Sequence, residues 1–193
     1  MPSAPRVVIA EDEAIIRLDL KELLEEEGYD VVAETGRGDE AVDLVRQLQP
    51  DLAILDIKMP GMDGLSAARH IAADRLCAVV VLTAFSQRDL VDQAIDAGAL
   101  AYIVKPFQKS DLVPAIEVAL GRHAELAGLE KDVADLAERL EARKSIDRAK
   151  GRLMDKHGLG EQEAWRFLQT HAMSSRIKVH EAAEQVLDGT LTP

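Results

Sequence analysis

Short apolar runs alternate with amphipathic stretches through about the first 120 residues of the chain. The runs are rich in β-branched residues, which favours strands. Two of them, LAILD and AVVVLT, are continuously apolar, as in parallel strands that are covered on both faces. The predicted strands are 6–10, 30–35, 52–56, 78–83 and 101–105. Apolar positions recur at helical spacing in between, which predicts helices over 13–27, 39–49, 65–74, 89–97 and 111–120.

The order of these elements, with each strand followed by a helix, predicts the fold class. A helical crossover returns the chain to the same end of the sheet, so that successive strands run parallel. We therefore expect an α/β fold, a doubly wound parallel five-stranded sheet of the flavodoxin-like kind. In such sheets ligands bind at the carboxyl ends of the strands, near the point where the strand order reverses.

Beyond residue 110 the pattern is helical only. A leucine-rich stripe with spacings of 3, 4, 3 and 4 predicts a coiled-coil helix over 122–142. The stripe consists of Leu126, Leu129, Val133, Leu136 and Leu140. Gly121 and Gly128 weigh against one unbroken helix through this region, because glycine is a poor helix former.

A second apolar stripe begins at Ile146 in a shifted phase, which indicates a new packing partner. Gly158 is expected to end that helix, and further helices are predicted over 161–173 and 177–187. We expect these segments to form a small three-helix bundle, with Met154, Trp165 and Met173 in its core.

The composition is that of a chain with a real hydrophobic core, since 47% of its 193 residues are apolar and 30% are charged. Cys77, the only cysteine, lies within an apolar run and is expected to be buried, which excludes an intrachain disulfide and favours a reducing cytoplasm. No apolar run approaches the ~20 residues of a membrane span, and the N-terminus lacks the apolar region of a signal peptide. We therefore expect a cytoplasmic protein without membrane insertion.

The net charge of −12 is unevenly distributed and argues against nucleic-acid binding by the whole surface. Residues 1–121 contain 11 Lys and Arg against 22 Asp and Glu, whereas residues 122–193 contain 12 against 13. Within the second part, residues 139–156 contain 7 basic and 3 acidic residues. The two parts of the chain are therefore expected to face different partners.

Acidic residues follow two strands that neighbour each other in the predicted sheet. Glu11 and Asp12 follow the first strand, and Asp56 ends the third, so the three carboxylates should converge. Mg²⁺ binds such a set of hard oxygen ligands together with phosphate oxygens. An aspartate beside the ion can accept a phosphoryl group, with Thr83 and Lys105 at the neighbouring strand ends to bind the phosphoryl oxygens.

The segments EDE, LAILDIKMPGMDG, VVVLTA and AYIVKPF resemble the receiver domain of two-component response regulators over residues 5–121. The resemblance implies that a sensor histidine kinase phosphorylates Asp56, and that Thr83 and Lys105 assist. It implies Thr83 and Tyr102 as a pair of switch residues. It implies a magnesium site formed by Glu11, Asp12, Asp56 and the backbone carbonyl of Lys58. Since many relatives carry Asp in place of Glu11, we expect this longer side chain to reach the ion through water.

A stripe of basic residues in steps of four runs through the predicted helix before Gly158. Its members are Lys144, Arg148, Arg152 and Lys156. On charge alone, the stripe fits a solvated helix face paired with Asp147 and Asp155.

The segment ARKSIDRAKGRLMDKHGLGEQEAWRFLQTHAM resembles the ANTAR domain, an antitermination module, across residues 130–190. This resemblance implies binding to paired stem-loops in nascent RNA, which prevents a transcription terminator from forming. Basic side chains that hold phosphates fit that function. The candidate RNA-binding residues are Arg143, Lys150, Arg152, Lys156 and Arg166.

The sequence thus predicts a response regulator, not an enzyme, with a receiver domain over 1–121, a coiled-coil linker over 122–142 and an ANTAR domain over 130–190. Phosphorylation is expected to act through the linker, with a homodimer as one outcome. Two alternatives remain for the C-terminal part, namely a DNA-binding effector and a module that acts only by dimerisation.

Overall fold

A computed structural model describes residues 4–84 and 88–193. The chain divides into two compact units, Met1–Ala127 and Gly128–Pro193.

The first unit contains a five-stranded sheet in the order β2-β1-β3-β4-β5, in which every pairing is parallel. Its strands are β1 (Arg6–Ala10), β2 (Asp30–Thr35), β3 (Leu52–Asp56), β4 (Ala78–Thr83) and β5 (Ala101–Val104). Its helices are α1 (Ala14–Glu26), α2 (Gly38–Leu48), α3 (Gly64–Ala73), α4 (Arg88–Asp96) and the first part of α5 (Lys109–His157). The predicted doubly wound α/β fold is confirmed, and the strand order reverses between β1 and β3.

Both faces of the sheet are buried, which explains the continuous apolar runs. Alternate residues of β1 enter different cores: Val8 packs with residues of α2 and α3, while Ile9 packs with residues of α1 and α5. Cys77 is buried in the first of these cores, as predicted.

The helix α5 corrects one expectation. It runs without interruption for 49 residues, from Lys109 to His157, through both Gly121 and Gly128. A side chain at either glycine would meet nothing within 4 Å, so neither residue is required by a close contact. Each glycine costs a helix only about 1 kcal/mol relative to alanine, which the remaining residues of a long helix readily offset.

The second unit is a three-helix bundle formed by the end of α5 with α6 (Glu161–Ser175) and α7 (Val179–Asp188). Gly158, with a positive φ of 69°, follows the last residue of α5, as the sequence predicted. The buried face of α6 consists of Ala164, Leu168 and Ala172, spaced by four residues.

The three large side chains expected in this core are not buried. Trp165, Met154 and Met173 are 39%, 40% and 75% exposed. Trp165 follows the buried Ala164 and is therefore rotated by about 100° from the core face of α6. The expectation was wrong because the apolar character of a residue does not by itself show whether that residue faces the core or the solvent.

Across residues 4–84 and 88–193, no helix is both long enough and apolar enough to span a bilayer.

Gly64 at the start of α3 generates a stability prediction. A Cβ atom there would lie 1.8 Å from the backbone oxygen of Asp56, so Gly64→Ala should lower the free energy of unfolding by about 3 kcal/mol. Gly121→Ala is the matched control and should raise it by up to about 1 kcal/mol. Urea denaturation measures both changes, and equal stability of Gly64→Ala and the wild type would contradict this packing.

Candidate functional site

The carboxyl ends of β1 and β3 bring three carboxylates together. The two strands pair in register, with Ala10 opposite Leu55, so Glu11 and Asp12 after β1 lie beside Asp56 at the end of β3. One carboxylate oxygen from each residue lies within 4.8 Å of the other two. Glu11 and Asp56 are buried, whereas Asp12 is exposed.

Lys105, directly after β5, supplies the positive charge in this acidic cluster. Its Nζ lies 2.5 Å from Glu11 Oε2 and 2.8 Å from Asp56 Oδ1. Its backbone N–H donates to the Thr83 carbonyl at 2.8 Å, and its bond to Pro106 is cis. The ammonium group therefore sits between carboxylates from two different strand ends.

Burial and the contacts between Glu11, Asp56 and Lys105 shift the pKa values of Glu11 and Lys105. Desolvation raises the pKa of Glu11, and the charge of Asp56 adds to that effect, while Lys105 opposes it. Burial by itself would lower the pKa of Lys105, but its hydrogen bonds to Asp56 and Glu11 and their charges outweigh burial and raise it. The lysine is thus held in its charged form by the acids that surround it.

Backbone groups orient the carboxylates. The Lys58 N–H donates to Asp56 Oδ2 at 3.1 Å, and the Glu13 N–H donates to Glu11 Oε1 at 3.2 Å. Glu11 Oε2 is buried and has no hydrogen bond of ordinary geometry within the described residues, although it lies in ion-pair contact with Lys105. Closely spaced carboxylate oxygens, one of them incompletely satisfied, are a donor set that fits Mg²⁺.

Thr83 and Tyr102 lie on the adjacent strands β4 and β5. Thr83 is buried at the end of β4 opposite Val104, and Tyr102 lies two residues before Val104 on β5. Since side chains alternate along a strand, Thr83 and Tyr102 share one face of the sheet. Tyr102 is 45% exposed, so nearly half of its surface is open to solvent.

The predicted RNA-binding residues of the second unit have different environments. Arg143, Lys156 and Arg166 are exposed. Lys150 is half-buried between two acids, with its Nζ 3.2 Å from Asp147 and 3.0 Å from Glu161.

Arg152, like Lys150, is engaged within the protein. It is half-buried, and its guanidinium donates a hydrogen bond to the Leu187 carbonyl in the last turn of α7. The charge of Arg152 also helps to lower the pKa of Asp188, although hydrogen bonds from Thr190 contribute more. Arg152 therefore connects α5 to the end of α7.

Sequence reasoning missed a groove between α5 and α6. It has a volume of about 450 Å³ and is lined by Lys150, Glu161, Gln162, Trp165 and Arg166. The four α6 residues are spaced i, i+1, i+4 and i+5, which places them on one face of the helix. The sequence shows this spacing. The groove was missed because Trp165, as an apolar residue, was assigned to the core and not to the surface of α6.

The parallel sheet and the acidic cluster with its lysine define the receiver class of signalling domains, and comparison with known proteins supports this assignment. Residues 7–117 match the response regulator receiver domain, and residues 134–187 match the ANTAR domain. The chain belongs to the response regulators that carry a receiver and an ANTAR domain, a regulatory family without enzymatic output.

Individual relatives extend over different parts of the chain. The transcriptional regulatory protein PdtaR of Mycobacterium tuberculosis is 56% identical over 97% of this chain and 92% of its own length. The receiver domain of the putative response regulator NarL from Mycobacterium tuberculosis covers 62% of this chain and 98% of its own, with a TM-score of 0.60 and 29% identity. A chain of the CheX–CheY–BeF3–Mg²⁺ complex from Borrelia burgdorferi covers 57% of this chain and 85% of its own, with a TM-score of 0.55 and 26% identity.

The Arg152 contact generates a prediction about stability. Arg152→Met should destabilise the second unit by about 1–3 kcal/mol, because the Leu187 carbonyl loses its charged donor. The exposed Arg143→Met is the matched control and should change stability by less than about 0.5 kcal/mol. Unfolding followed by the fluorescence of Trp165, the only tryptophan, reports on this unit. Equal midpoints for both variants would show that the Arg152 contact contributes nothing.

Proposed function

We propose that this protein is a phosphorylation-controlled, RNA-binding antiterminator that acts in the cytoplasm. A sensor histidine kinase phosphorylates Asp56, and the ANTAR domain binds paired hairpins in nascent RNA and prevents terminator formation. The boundaries proposed are 1–121 for the receiver, 122–142 for the coiled-coil linker and 130–190 for the ANTAR domain. The observation that carries the proposal is the buried cluster of Glu11, Asp56 and Lys105, in a chain whose C-terminal part matches an ANTAR domain.

Asp56 is the phosphoacceptor in this proposal. One of its carboxylate oxygens forms a bond to the phosphorus while the bond from phosphorus to the nitrogen of the donor phosphohistidine breaks, and the imidazole leaves. Such a transfer requires mainly positioning and neutralisation of charge. The Lys58 N–H fixes one oxygen of Asp56, and Lys105 is already at ion-pair distance from the other.

The same cluster provides the ligands for magnesium. Asp12, Asp56 and the Lys58 backbone carbonyl would hold the ion, with Glu11 reaching it through water. When bound, Mg²⁺ neutralises negative charge on the transferring phosphoryl oxygens. The complex of the Borrelia burgdorferi relative with BeF3 and Mg²⁺ supports this assignment, because BeF3 resembles a phosphoryl group in shape.

Phosphorylation changes the charge that Lys105 and Thr83 face. A phosphoryl group adds roughly −1.5 to −2 charges at the end of β3. Lys105 turns to the phosphoryl oxygens, Thr83 donates its hydroxyl to them, and Tyr102 moves inward on the face that it shares with Thr83. This rearrangement remodels the face formed by α4, β5 and α5.

RNA binding is assigned to basic side chains of the second unit that remain available. Arg143, Lys156 and Arg166 are exposed and suit contacts with phosphates. Lys150 lies next to them but is held by Asp147 and Glu161. Arg152 acts by positioning α7, because its guanidinium is engaged with Leu187.

We propose that phosphorylation acts on RNA binding through a homodimer, in which two chains bind an RNA that contains two hairpins. The stripe from Leu126 to Leu140 on α5 is unusually exposed for apolar residues, each side chain being about half to two-thirds exposed. Its 3-4 spacing matches the seam of a two-stranded coiled coil. Pairing of two such helices would bring two bundles together.

Treatment with acetyl phosphate and magnesium tests the first step. We expect the mass of the intact protein to increase by one phosphoryl group, and we expect no increase in Asp56→Asn or after chelation of magnesium. Asp51→Asn, which changes an exposed acid of the same segment, is the control and should be modified like the wild type. Modification of Asp56→Asn to the wild-type extent would contradict the assignment of Asp56 as the phosphoacceptor.

Sedimentation of the same samples tests the dimer. The phosphorylated protein should sediment with twice the mass of a single chain, and Leu136→Lys should remain a monomer because a charge enters the seam. An unchanged mass, also in the presence of RNA, would rule out dimerisation as the route.

Competition between a labelled RNA hairpin and duplex DNA separates the RNA-binding function from its two alternatives. We expect the hairpin to bind more tightly, with an affinity that falls as salt rises because Lys and Arg displace counterions from phosphates. Preference for DNA would identify a DNA-binding effector. Absence of binding to either would identify a module that acts only by dimerisation.

A further inference from the structure

We propose that the groove between α5 and α6 binds one unpaired nucleobase of an RNA hairpin loop, stacked on Trp165. This inference rests on the proposed RNA-binding function and assigns the part of the RNA that the bundle reads.

The position of Trp165 is the first argument. The core face of α6 consists of Ala164, Leu168 and Ala172, and Trp165 lies outside it with 39% of its surface exposed. An exposed indole is the side chain best suited to stack on a base, since every base has a π-face. Stacking would cover an apolar ring that the bundle itself leaves in solvent.

The charges of the groove favour a nucleotide over an uncharged aromatic ligand. Arg166 follows Trp165 on α6, is exposed, and forms no ion pair with any residue in the described ranges. It can therefore hold the phosphate of the nucleotide whose base stacks on Trp165. Lys150, on the opposite wall, is held by Asp147 and Glu161, which offset its charge and leave Arg166 as the cation for a phosphate.

Glu161 in the groove argues against binding of several consecutive phosphates of an RNA backbone. Glu161 places a carboxylate beside Lys150, which would repel a phosphate at this position. The Glu161 carboxylate and the Gln162 amide instead offer acceptors and donors to the edge of a base. The groove thus has a stacking surface, one cation for a phosphate and polar groups for a base edge.

The size of the groove agrees with a single nucleotide. A volume of about 450 Å³ lies within the roughly 300–1,000 Å³ of ligand pockets. A paired base is stacked between its neighbours and cannot enter, so the occupant is a base from a loop or a bulge.

Trp165 fluorescence gives a direct test, because the chain contains no other tryptophan. The probe is a pool of RNA hairpins with a constant stem and a randomised loop of about eight nucleotides, and the reference is the same stem with an abasic loop. We expect quenching of Trp165 by the randomised pool and little quenching by the abasic hairpin. Equal quenching by both would overturn the proposal.

Substitutions test the energetic contribution of stacking in the full-length protein. Measured by fluorescence anisotropy of labelled hairpins, Trp165→Ala should weaken binding by roughly 5- to 150-fold. Trp165→Phe, which keeps an aromatic ring, should recover most of the affinity. Met173→Ala removes an exposed apolar side chain of the same helix outside the groove and should bind like the wild type.

The outcomes separate this inference from the function on which it rests. If the wild type binds hairpins while Trp165→Ala binds equally well, the RNA-binding function survives and the base pocket is wrong. If the wild type binds no hairpin and a labelled aromatic peptide quenches Trp165 instead, both fail and the groove is a protein-binding site. Circular dichroism of each variant verifies that the helices are intact.

Discussion

The contact of Lys105 with Glu11 and Asp56 is the interaction on which the receiver depends. Two buried carboxylates repel each other, and burial penalises each charge, so the cluster is stable in its ionised form only with a cation between them. The three residues lie far apart in the sequence and belong to three different strand ends. The parallel sheet, in which all carboxyl ends lie at one edge, brings them together. The proposed magnesium site and the proposed phosphoacceptor would both follow from this geometry.

The cluster also gives a physical basis for the proposed phosphorylation signal. Lys105 already balances two negative charges, and a phosphoryl group on Asp56 would add more charge than one ammonium can neutralise. Nearby donors must then rearrange, and Thr83 is the hydroxyl at the neighbouring strand end. Because Thr83 and Tyr102 share a face of the sheet, a change beside the acids reaches a ring that is exposed at the surface. The proposed switch thus connects Asp56 on β3 with Tyr102 on β5 through Thr83 on β4.

The second unit follows a different principle, since its core is built largely from small residues. Ala149, Ala164, Ala172 and Ala182 are buried, and alanine lets helices approach closely. Trp165 lies outside this core, beside the charged residues of the groove. Arg152, a half-buried basic residue, adds a hydrogen bond at the end of α7 to the apolar packing of that helix. Packing and surface chemistry are therefore linked in this unit.

The sequence by itself determined the helices and strands and the parallel arrangement of the strands, because apolar periodicity and the order of the elements can be read along the chain. It predicted that Glu11 and Asp56 would converge, since topology alone brings strand ends together, although their roles remain proposals. Local rules could not decide whether Gly121 would interrupt a helix, because the outcome depends on the summed helix-forming tendency of all 49 residues of α5. Tertiary structure alone decided that Trp165 faces solvent and that Arg152 contacts α7. Both depend on the phase and separation of packed helices, which arise only when several segments share one core.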